Sequence, residues 1–281
     1  MGQGTADPGD EHPLETSASA LSARWPDRVV AAGRRARWWR ELALIAAFYG
    51  VYDVIRGVIG GGSAQAQRDG RDLLRWEQFA RIDPEHWLNN DLQHLPLLAI
   101  PACYFYATLH FIITPAVLIW VYRKRPDSYR QARTVLAVIT AVALVGFWRF
   151  PTAPPRLLSG AGFHDTLAHF SNWGWWGSDA SVPAGATAIA NQFAAMPSLH
   201  LAWAAWCGAT VFTLTRRRWL KALALSYPLA TTLVVLGTAN HYLLDVLAGA
   251  ALWAATHVVV RYLTQLGVLP RGRRLAVADP Q

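Results

Sequence analysis

Residues 241–262 read HYLLDVLAGAALWAATHVVVRY. Between Asp245 and Arg261 this stretch carries no formal charge, and its length is close to the roughly 20 residues that a helix needs to cross the hydrocarbon core of a bilayer. Lipid offers no hydrogen bonds to a backbone, so such a stretch must be helical. His241 and Asp245 stand at its beginning. The stretch therefore predicts a membrane helix with ionisable side chains at one end.

Five further apolar segments resemble it in length. The composition agrees, since 53% of residues are hydrophobic and 16% are charged, whereas soluble domains have about 25% charged residues. We predict an all-α polytopic membrane protein with about six transmembrane helices in a catalytic domain over 41–265, between a disordered cytoplasmic tail over 1–40 and a second tail over 266–281. The other five segments are about 42–60, 96–121, 134–149, 199–215 and 219–238.

The basic residues predict the orientation. Most of the 26 Lys and Arg residues lie before the first span, between the second and third, between the fourth and fifth, or near and beyond the end of the sixth. The positive-inside rule assigns these segments to the cytoplasm. We therefore expect an integral plasma-membrane protein with both termini cytoplasmic. The basic residues in the segments assigned to the cytoplasm are Arg24, Arg28, Arg34, Arg35, Arg37, Arg40, Arg123, Lys124, Arg125, Arg130, Arg133, Arg216, Arg217, Arg218, Lys221, Arg261, Arg271, Arg273 and Arg274.

Two long loops, about 62–95 and 150–198, then face outward. In the first, Trp76, Phe79, Ile82 and Trp87 have a spacing typical of a helix that lies in the membrane interface. The second is rich in aromatic residues, which form either a plain interfacial belt or a surface that guides lipid to a site. Those residues are Phe163, Phe170, Trp173, Trp175 and Trp176.

The composition also bears on partners and cofactors. The net charge of +8 does not indicate a nucleic-acid binder, because the basic residues punctuate apolar stretches and form no polar surface. Cys103 and Cys207 lie in apolar segments without metal-ligand or disulfide spacing, so we interpret both as buried residues. No acidic cluster with metal-ligand spacing marks the outer loops, and we predict neither a metal nor a cofactor.

Two outward helix ends carry candidate chemistry. If His241 and Asp245 share a helix face, the carboxylate can hold one imidazole nitrogen and leave the other as nucleophile or base, although a structural pair has the same spacing. In Met196-Pro-Ser-Leu-His200, the Ser198 hydroxyl and free helix N–H groups can cradle an anion, or Ser198 can simply cap the helix. His200 then stands where it can protonate a leaving oxygen.

A third cluster is Arg149-Phe-Pro-Thr-Ala-Pro-Pro-Arg156. Two guanidinium groups on a proline-stiffened segment suit bidentate binding of phosphate oxygens, while Arg149 alone can equally be an interfacial anchor.

A fourth cluster lies deeper in the predicted spans. Asp53 and Arg56 either neutralise each other or line a substrate cavity. Tyr106 and His110, four residues apart, are further candidates for lining such a cavity.

The order Arg-x6-Arg, Pro-Ser-x-His and His-x3-Asp resembles the type 2 phosphatidic acid phosphatase superfamily. Its motifs read Lys-x6-Arg-Pro, Pro-Ser-Gly-His and Ser-Arg-x5-His-x3-Asp. The string Phe-Pro-Thr-Ala-Pro-Pro-Arg-Leu and the Leu of Pro-Ser-Leu-His look more like the branch that contains inositol phosphorylceramide synthases. The resemblance covers about 96–262.

The resemblance implies a role for each matching residue. His241 attacks phosphorus and forms a phosphohistidine, Asp245 orients it, and His200 protonates the departing group. Arg149, Arg156 and Ser198 match phosphate-binding positions.

Three positions depart from the motifs. Arg149 replaces Lys, Leu157 replaces Pro, and the third motif's Ser-Arg falls on Val234 and Val235. One phosphate-binding Arg is thus absent, which favours a phosphodiester or diphosphate over a phosphomonoester.

We therefore predict an enzyme that cleaves or transfers a phosphoryl group of a lipid phosphate at the outer leaflet, without metal. The motifs do not decide between water and an alcohol as acceptor, although the closer branch favours transfer of a headgroup such as phosphoinositol. The alternative is a transporter or a non-enzymatic lipid-binding membrane protein. The substrate's identity and the oligomeric state are outside what the sequence predicts.

Overall fold

A computed structural model describes residues 63–176 and 192–269, together with the isolated residues Trp39, Ala43 and Gly50. Apart from Ala43 and Gly50, the predicted first span, with Asp53 and Arg56, lies outside the described residues. So do the predicted N-terminal tail, apart from Trp39, and residues 270–281.

Within residues 63–95, two helices precede the first described span. Helix α1 covers Ser63–Ala80 and α2 covers Pro84–Gln93, with Arg81 in the left-handed region at φ 57° between them. Pro84 is suited to the first turn of α2, where its missing N–H has no helical partner to lose. The single helix predicted through Trp76, Phe79, Ile82 and Trp87 is therefore two helices, with Ile82 between them. Trp76, Phe79 and Trp87 are exposed, and their place in the membrane interface stays a prediction.

Five apolar segments follow, and each is helical. The first consists of α3 (Pro96–Tyr104), a π-helical turn (Phe105–Leu109) and α4 (His110–Lys124), and it is followed by α5 (Pro126–Arg149). After the short helix α6 (Thr166–His169) come α7 (Leu199–Leu214), α8 (Arg218–Gly237) and α9 (Leu243–Gln265). Residues 96–124, α5, α8 and α9 are long and apolar enough to cross a membrane, and α7 is shorter. The predicted all-α membrane fold is confirmed.

Two helix boundaries differ from the prediction. Helix α5 begins at Pro126 and not near 134, because its first two turns are polar and hydropathy marks only the part suited to lipid. Helix α9 begins at Leu243 and not at His241. This second difference matters for the chemistry, since it places His241 outside the helix.

Among the described helices, α7 packs against α4, α5, α8 and α9. Trp206 and Cys207 of α7 are buried in the largest core cluster together with Val121, Ile139 and Val260. Gly208 of α7 lies so close to the Ala224 carbonyl of α8 that a Cβ there would collide with it. This close approach fixes the relative position of the two helices that lead to the motifs.

The basic segments and the motifs lie at opposite ends of these helices. Arg125, before α5, donates to the Leu214 carbonyl at the end of α7 at 3.1 Å. The motif residues lie at the end of α5 and the beginnings of α7 and α9. Helix α5 has 24 residues and is therefore about 36 Å long. The site is separated from the basic segments by roughly the thickness of a bilayer.

Candidate functional site

The site is built around the turn that joins α8 to α9. The backbone N–H groups of Asn240 and His241 both donate to the Val235 carbonyl, at 3.0 and 3.2 Å. Ala239 is fully buried with φ 52°, a conformation that costs a non-glycine residue about 1–2 kcal/mol. This tight reversal places His241 between the two helices.

His241 contacts Asp245, as the sequence predicts, but for a different reason. The two side chains do not share a helix face, because α9 begins two residues after His241. Instead, Asp245 in the first turn of α9 points back, and its Oδ2 lies 3.3 Å from His241 Nδ1 and accepts the Tyr242 N–H at 3.0 Å. Both His241 and Asp245 are buried, so the imidazole is held in one orientation.

His200 lies on the other side of His241. Its Nδ1 is 3.3 Å from His241 Nε2, so the three side chains form a line from Asp245 through His241 to His200. When Asp245 accepts the Nδ1–H of His241, the Nε2 of His241 carries a lone pair. The nitrogen that the sequence predicts as the nucleophile therefore faces the residue that it predicts as the general acid.

The helix start that carries His200 is joined to the helix start that carries Asp245. The Ser198 N–H donates to the Asp245 backbone carbonyl at 2.9 Å, and Gly249 of α9 packs directly on the Ser198 carbonyl. Because a side chain at 249 would collide with that carbonyl, the two helix starts can approach only with glycine there. These contacts fix the distance between the two histidines.

Of the two roles that the sequence left open for the Ser198 hydroxyl, the structure shows the helix cap. It accepts the Leu201 N–H at 3.4 Å as the N-cap of α7, and the residue is fully buried. The cap satisfies one of the helix N–H groups that a bound anion would otherwise use. A phosphate contact for Ser198 stays a prediction.

Arg156 is attached to the His241 turn. Its Nε donates to Asn240 Oδ1 at 2.9 Å, and one of its terminal nitrogens pairs with Asp165 Oδ2 at 2.8 Å. Its backbone N–H donates to the Ala239 carbonyl at 2.9 Å. The side chain is only 4% exposed. Arg156 is therefore fixed next to the residue that precedes His241.

Arg149 differs from Arg156. It lies exposed at the end of α5, and no hydrogen bond or ion pair joins its side chain to another residue of the described ranges. The structure thus brings only one of the two predicted clamp arginines into contact with the histidine turn. The interfacial-anchor alternative for Arg149 stays open.

Tyr106 and His110 both contact His200. The Tyr106 ring stacks on the His200 ring with centroids 4.7 Å apart, and His110 meets it edge-on at 4.4 Å. Tyr106 lies in the π-helical turn and His110 directly follows it, and such turns are frequent at functional sites. A small cavity adjoins the three rings. It is lined by Phe105, Tyr106, His110, His200, Tyr227, Thr231, Val234 and Val235.

The cavity includes the two positions at which the Ser-Arg pair of the third motif is absent. Val234 and Val235, which stand where Ser-Arg is expected, are apolar members of its wall. Among the described residues that line this cavity, no arginine stands where the motif would supply one.

Several polar residues at the site were not predicted. Asn240 and Asp165 hold Arg156, and Asn89 of α2 donates to the Gly237 carbonyl at 2.9 Å. Glu77 Oε1 accepts the Leu244 N–H at 2.6 Å. The sequence does contain a pattern that could have identified Glu77, because this residue continues the helical spacing of the buried residues Ala66, Gly70, Leu73 and Leu74. Within 63–176 and 192–269, no group of three or more His, Cys, Asp or Glu could hold a metal ion.

The sequence profile of the PAP2 superfamily matches residues 71–259, which is more than half of the chain. The chain belongs to the PAP2 superfamily. No curated protein and no solved structure matches it. The PAP2 match includes α1 from Arg71, all three motifs and most of α9, so it spans every described residue of the site. It assigns the superfamily and not the branch.

Proposed function

We propose that this PAP2 protein is a membrane-embedded lipid phosphate phosphatase or phosphotransferase that works through a phosphohistidine on His241. The observation that carries the proposal is the line of side chains Asp245, His241 and His200, with both of its nitrogen contacts at 3.3 Å. A nucleophile between an orienting carboxylate and a proton donor is the arrangement that covalent catalysis needs.

In the first half-reaction, the His241 Nε2 lone pair attacks phosphorus. The bond from phosphorus to the leaving oxygen breaks, and protonated His200 gives its proton to that oxygen. Asp245 accepts the Nδ1–H of His241 and stabilises the positive charge that develops on the ring. The product is a phosphoryl group bound to His241, which keeps one ester bond when the substrate is a phosphodiester, together with a neutral alcohol.

In the second half-reaction, His200 acts as the base. It takes a proton from water or from an alcohol acceptor, whose oxygen attacks phosphorus while the bond to His241 Nε2 breaks. Water gives a phosphatase and an alcohol gives a transferase, so the histidine line supports both activities equally.

Substrate binding requires the two histidines to separate. A separation of 3.3 Å between His200 Nδ1 and His241 Nε2 leaves no room for a phosphoryl group. His241 is fixed by hydrogen bonds, whereas His200 is held by ring contacts that tolerate sliding. We therefore assign the movement to His200, toward the small cavity.

The charge around the histidines favours a phosphodiester donor. Arg156 is already paired with Asp165 at 2.8 Å, Arg149 is exposed, and Val234 and Val235 replace the Ser-Arg pair. A phosphodiester carries one negative charge and needs fewer cations than a phosphomonoester dianion. This supports headgroup transfer, including transfer of phosphoinositol, as in the branch that the sequence resembles.

We also propose that the site faces away from the cytoplasm, because the basic segments lie at the other end of the helices. A cysteine reporter at Asn240 is unsuitable, since this residue is 3% exposed and bonded to Arg156. Ser159→Cys at the exposed site end should react with a membrane-impermeant thiol reagent in intact cells. Asp127→Cys at the basic end is the matched control and should react only after lysis. The reverse pattern would refute the orientation.

The activity is tested on the purified full-length protein. It is given a mixture of lipid phosphates, lipid diphosphates and inositol phospholipids with an alcohol lipid acceptor, and mass spectrometry follows the products. Free phosphate indicates a phosphatase, and a new headgroup lipid indicates a transferase. His241→Ala is the control. The absence of both products from the wild-type protein would favour the transporter or lipid-binding alternative.

A further inference from the structure

Two buried carboxyl groups lie beside the catalytic helix and outside all three motifs. Glu77 of α1 and Glu85 of α2 are both fully buried. They face the beginning of α9, where Glu77 Oε1 accepts the Leu244 N–H at 2.6 Å. Leu244 immediately precedes Asp245, so this contact acts on the turn that carries the orienting carboxylate.

The two carboxyls are each other's partner. Glu77 Oε2 is buried without an N–H or hydroxyl donor among the described residues. Both oxygens of Glu85 are buried as well, with the backbone N–H groups of Glu85 and Leu243 nearby. The two carboxyl groups lie close enough together for a hydrogen bond between them. Two carboxylates cannot form that bond, because each would be an acceptor only. One of the two must therefore be protonated.

The surroundings keep that proton in place. Burial and the neighbouring Glu85 raise the pKa of Glu77 to about 10, and burial raises the pKa of Glu85. Asp245 and Asp83 act in the same direction, on Glu77 and Glu85 respectively. The other titratable groups near this corner are Tyr242, whose pKa is raised mainly by burial, Arg71, which acts on Tyr242 in the opposite direction, and His241, which pairs with Asp245.

Helix α1, which carries Glu77, is attached to the site by further contacts. The Ala153 N–H donates to the Ala66 carbonyl at 2.9 Å, and Tyr242 donates its hydroxyl to the Ala153 carbonyl at 2.8 Å. A Cβ on Gly70 would lie 2.5 Å from that same carbonyl oxygen. The Glu77 carboxyl is thus presented from a fixed helix and not from a loop.

We infer that Glu77 and Glu85 are positioning residues: a proton-sharing pair that fixes the first turn of α9 and, through it, Asp245 and His241. The catalytic part of this inference rests on the proposed function. A helix start needs acceptors for its N–H groups. A pair that shares one proton supplies an acceptor to Leu244 while placing only one negative charge beside Asp245.

The matched variants are Glu77→Gln and Glu77→Ala. The Gln side chain keeps an oxygen for the Leu244 N–H and replaces the shared proton with an amide N–H that donates to Glu85. The Ala side chain removes both. We expect near-wild-type kcat for Glu77→Gln. For Glu77→Ala we expect kcat to fall by about 10²-fold with little change in KM, as for a displaced catalytic group.

Two further readouts do not depend on turnover. Infrared spectra of the full-length protein at pH 7 should show a carbonyl band of a buried, protonated carboxylic acid that is absent from Glu77→Gln. The ¹⁵N signals of the His241 ring, assigned by their loss in His241→Gln, should be unchanged in Glu77→Gln and shifted in Glu77→Ala. If the pair had only a structural role, the His241 signals would not need to depend on whether the side chain at residue 77 can accept the Leu244 N–H.

The outcomes separate this inference from the proposed function. If the band and the His241 signals behave as expected but the wild-type protein turns over no lipid phosphate, the function is wrong and the pair stands. The inference is overturned if Glu77→Gln leaves the infrared spectrum unchanged, or if a folded Glu77→Ala variant keeps wild-type kcat. The infrared comparison decides the matter even when Glu77→Ala does not fold.

Discussion

His241 and His200 face each other across 3.3 Å, yet the protein holds them in different ways. His241 is buried and belongs to a turn fixed by directional hydrogen bonds, which the Asp245 carboxylate and the Val235 carbonyl accept and Arg156 donates. His200 is half-buried, and its ring lies against Tyr106 and His110. Hydrogen bonds fix an orientation, whereas ring contacts fix a plane and allow sliding. The difference indicates a fixed nucleophile and a movable acid.

Asp245→Asn should have the largest effect of the substitutions that sharpen this comparison. The amide oxygen can still accept the Tyr242 N–H, so the fold is kept, but the His241 ring loses its tautomer and orientation. The serine-protease triad, where the same change costs about 10⁴-fold in kcat, sets the expected size. Steady-state kinetics on a variant with an unchanged thermal unfolding curve measures it. A loss of less than tenfold would show that Asp245 is not the orienting group.

His200→Ala should have the next largest effect, and one that depends on the substrate. General acid catalysis contributes about 10²–10⁴-fold, so an alkyl lipid phosphate should lose that much activity. An aryl phosphate with an acidic leaving group needs no proton and should be spared. The ratio of kcat/KM for the two substrates is the readout. Equal losses for both would remove His200 from the role of acid.

The two arginines give a smaller contrast. Arg156→Ala should lower kcat/KM by about 10- to 150-fold, the cost of a charged hydrogen bond to phosphate. Arg149→Ala should have less effect, because its side chain is exposed and water or lipid can replace it. Arg156→Lys separates charge from geometry, since Lys cannot reproduce the two contacts of Arg156 to Asn240 and Asp165. Near-wild-type activity of both alanine variants would remove the phosphate clamp.

Tyr106 should give the smallest effect. Tyr106→Leu removes the ring stacked on His200, and aromatic pairs are worth about 0.5–1.5 kcal/mol, or about 2- to 10-fold in rate. Tyr106→Phe keeps the ring and is the matched control. The comparison of kcat between the two variants isolates the stacking. If Leu and Phe behave alike, the ring does not set the position of His200.

The helices could be predicted well from the sequence, because a backbone in lipid must be helical and each long apolar segment therefore corresponds to a helix. All five predicted segments within the described residues are helical, although α5 extends further and α9 starts later. The boundary at Leu243 depends on the backbone reversal at Ala239, which no periodicity marks. The His241 contact with Asp245 was therefore predicted correctly from a spacing that is not helical here.

The partners of Arg156 could not be predicted in the same way. Asp165 and Asn240 reach Arg156 from separate segments, and only tertiary packing brings them together. Glu77 and Glu85 lie in a segment predicted to be a helix in the membrane interface, and buried carboxyl groups are rare in proteins. The helical spacing of Leu73, Leu74 and Glu77 marks the buried face of this helix. A prediction based on hydrophobicity alone does not assign Glu77 to that face, because its side chain is acidic.

The central claim is that His241 is the covalent nucleophile. The direct measurement uses a lipid substrate labelled in its phosphate, with the full-length protein quenched during turnover. We predict label on the wild-type protein that is stable in base and lost in acid, as expected for phosphohistidine, and none on a folded His241→Ala variant, which should also have no turnover. If His241→Ala turns over substrate at a rate comparable with the wild type, His241 is not the nucleophile and its pair with Asp245 is structural.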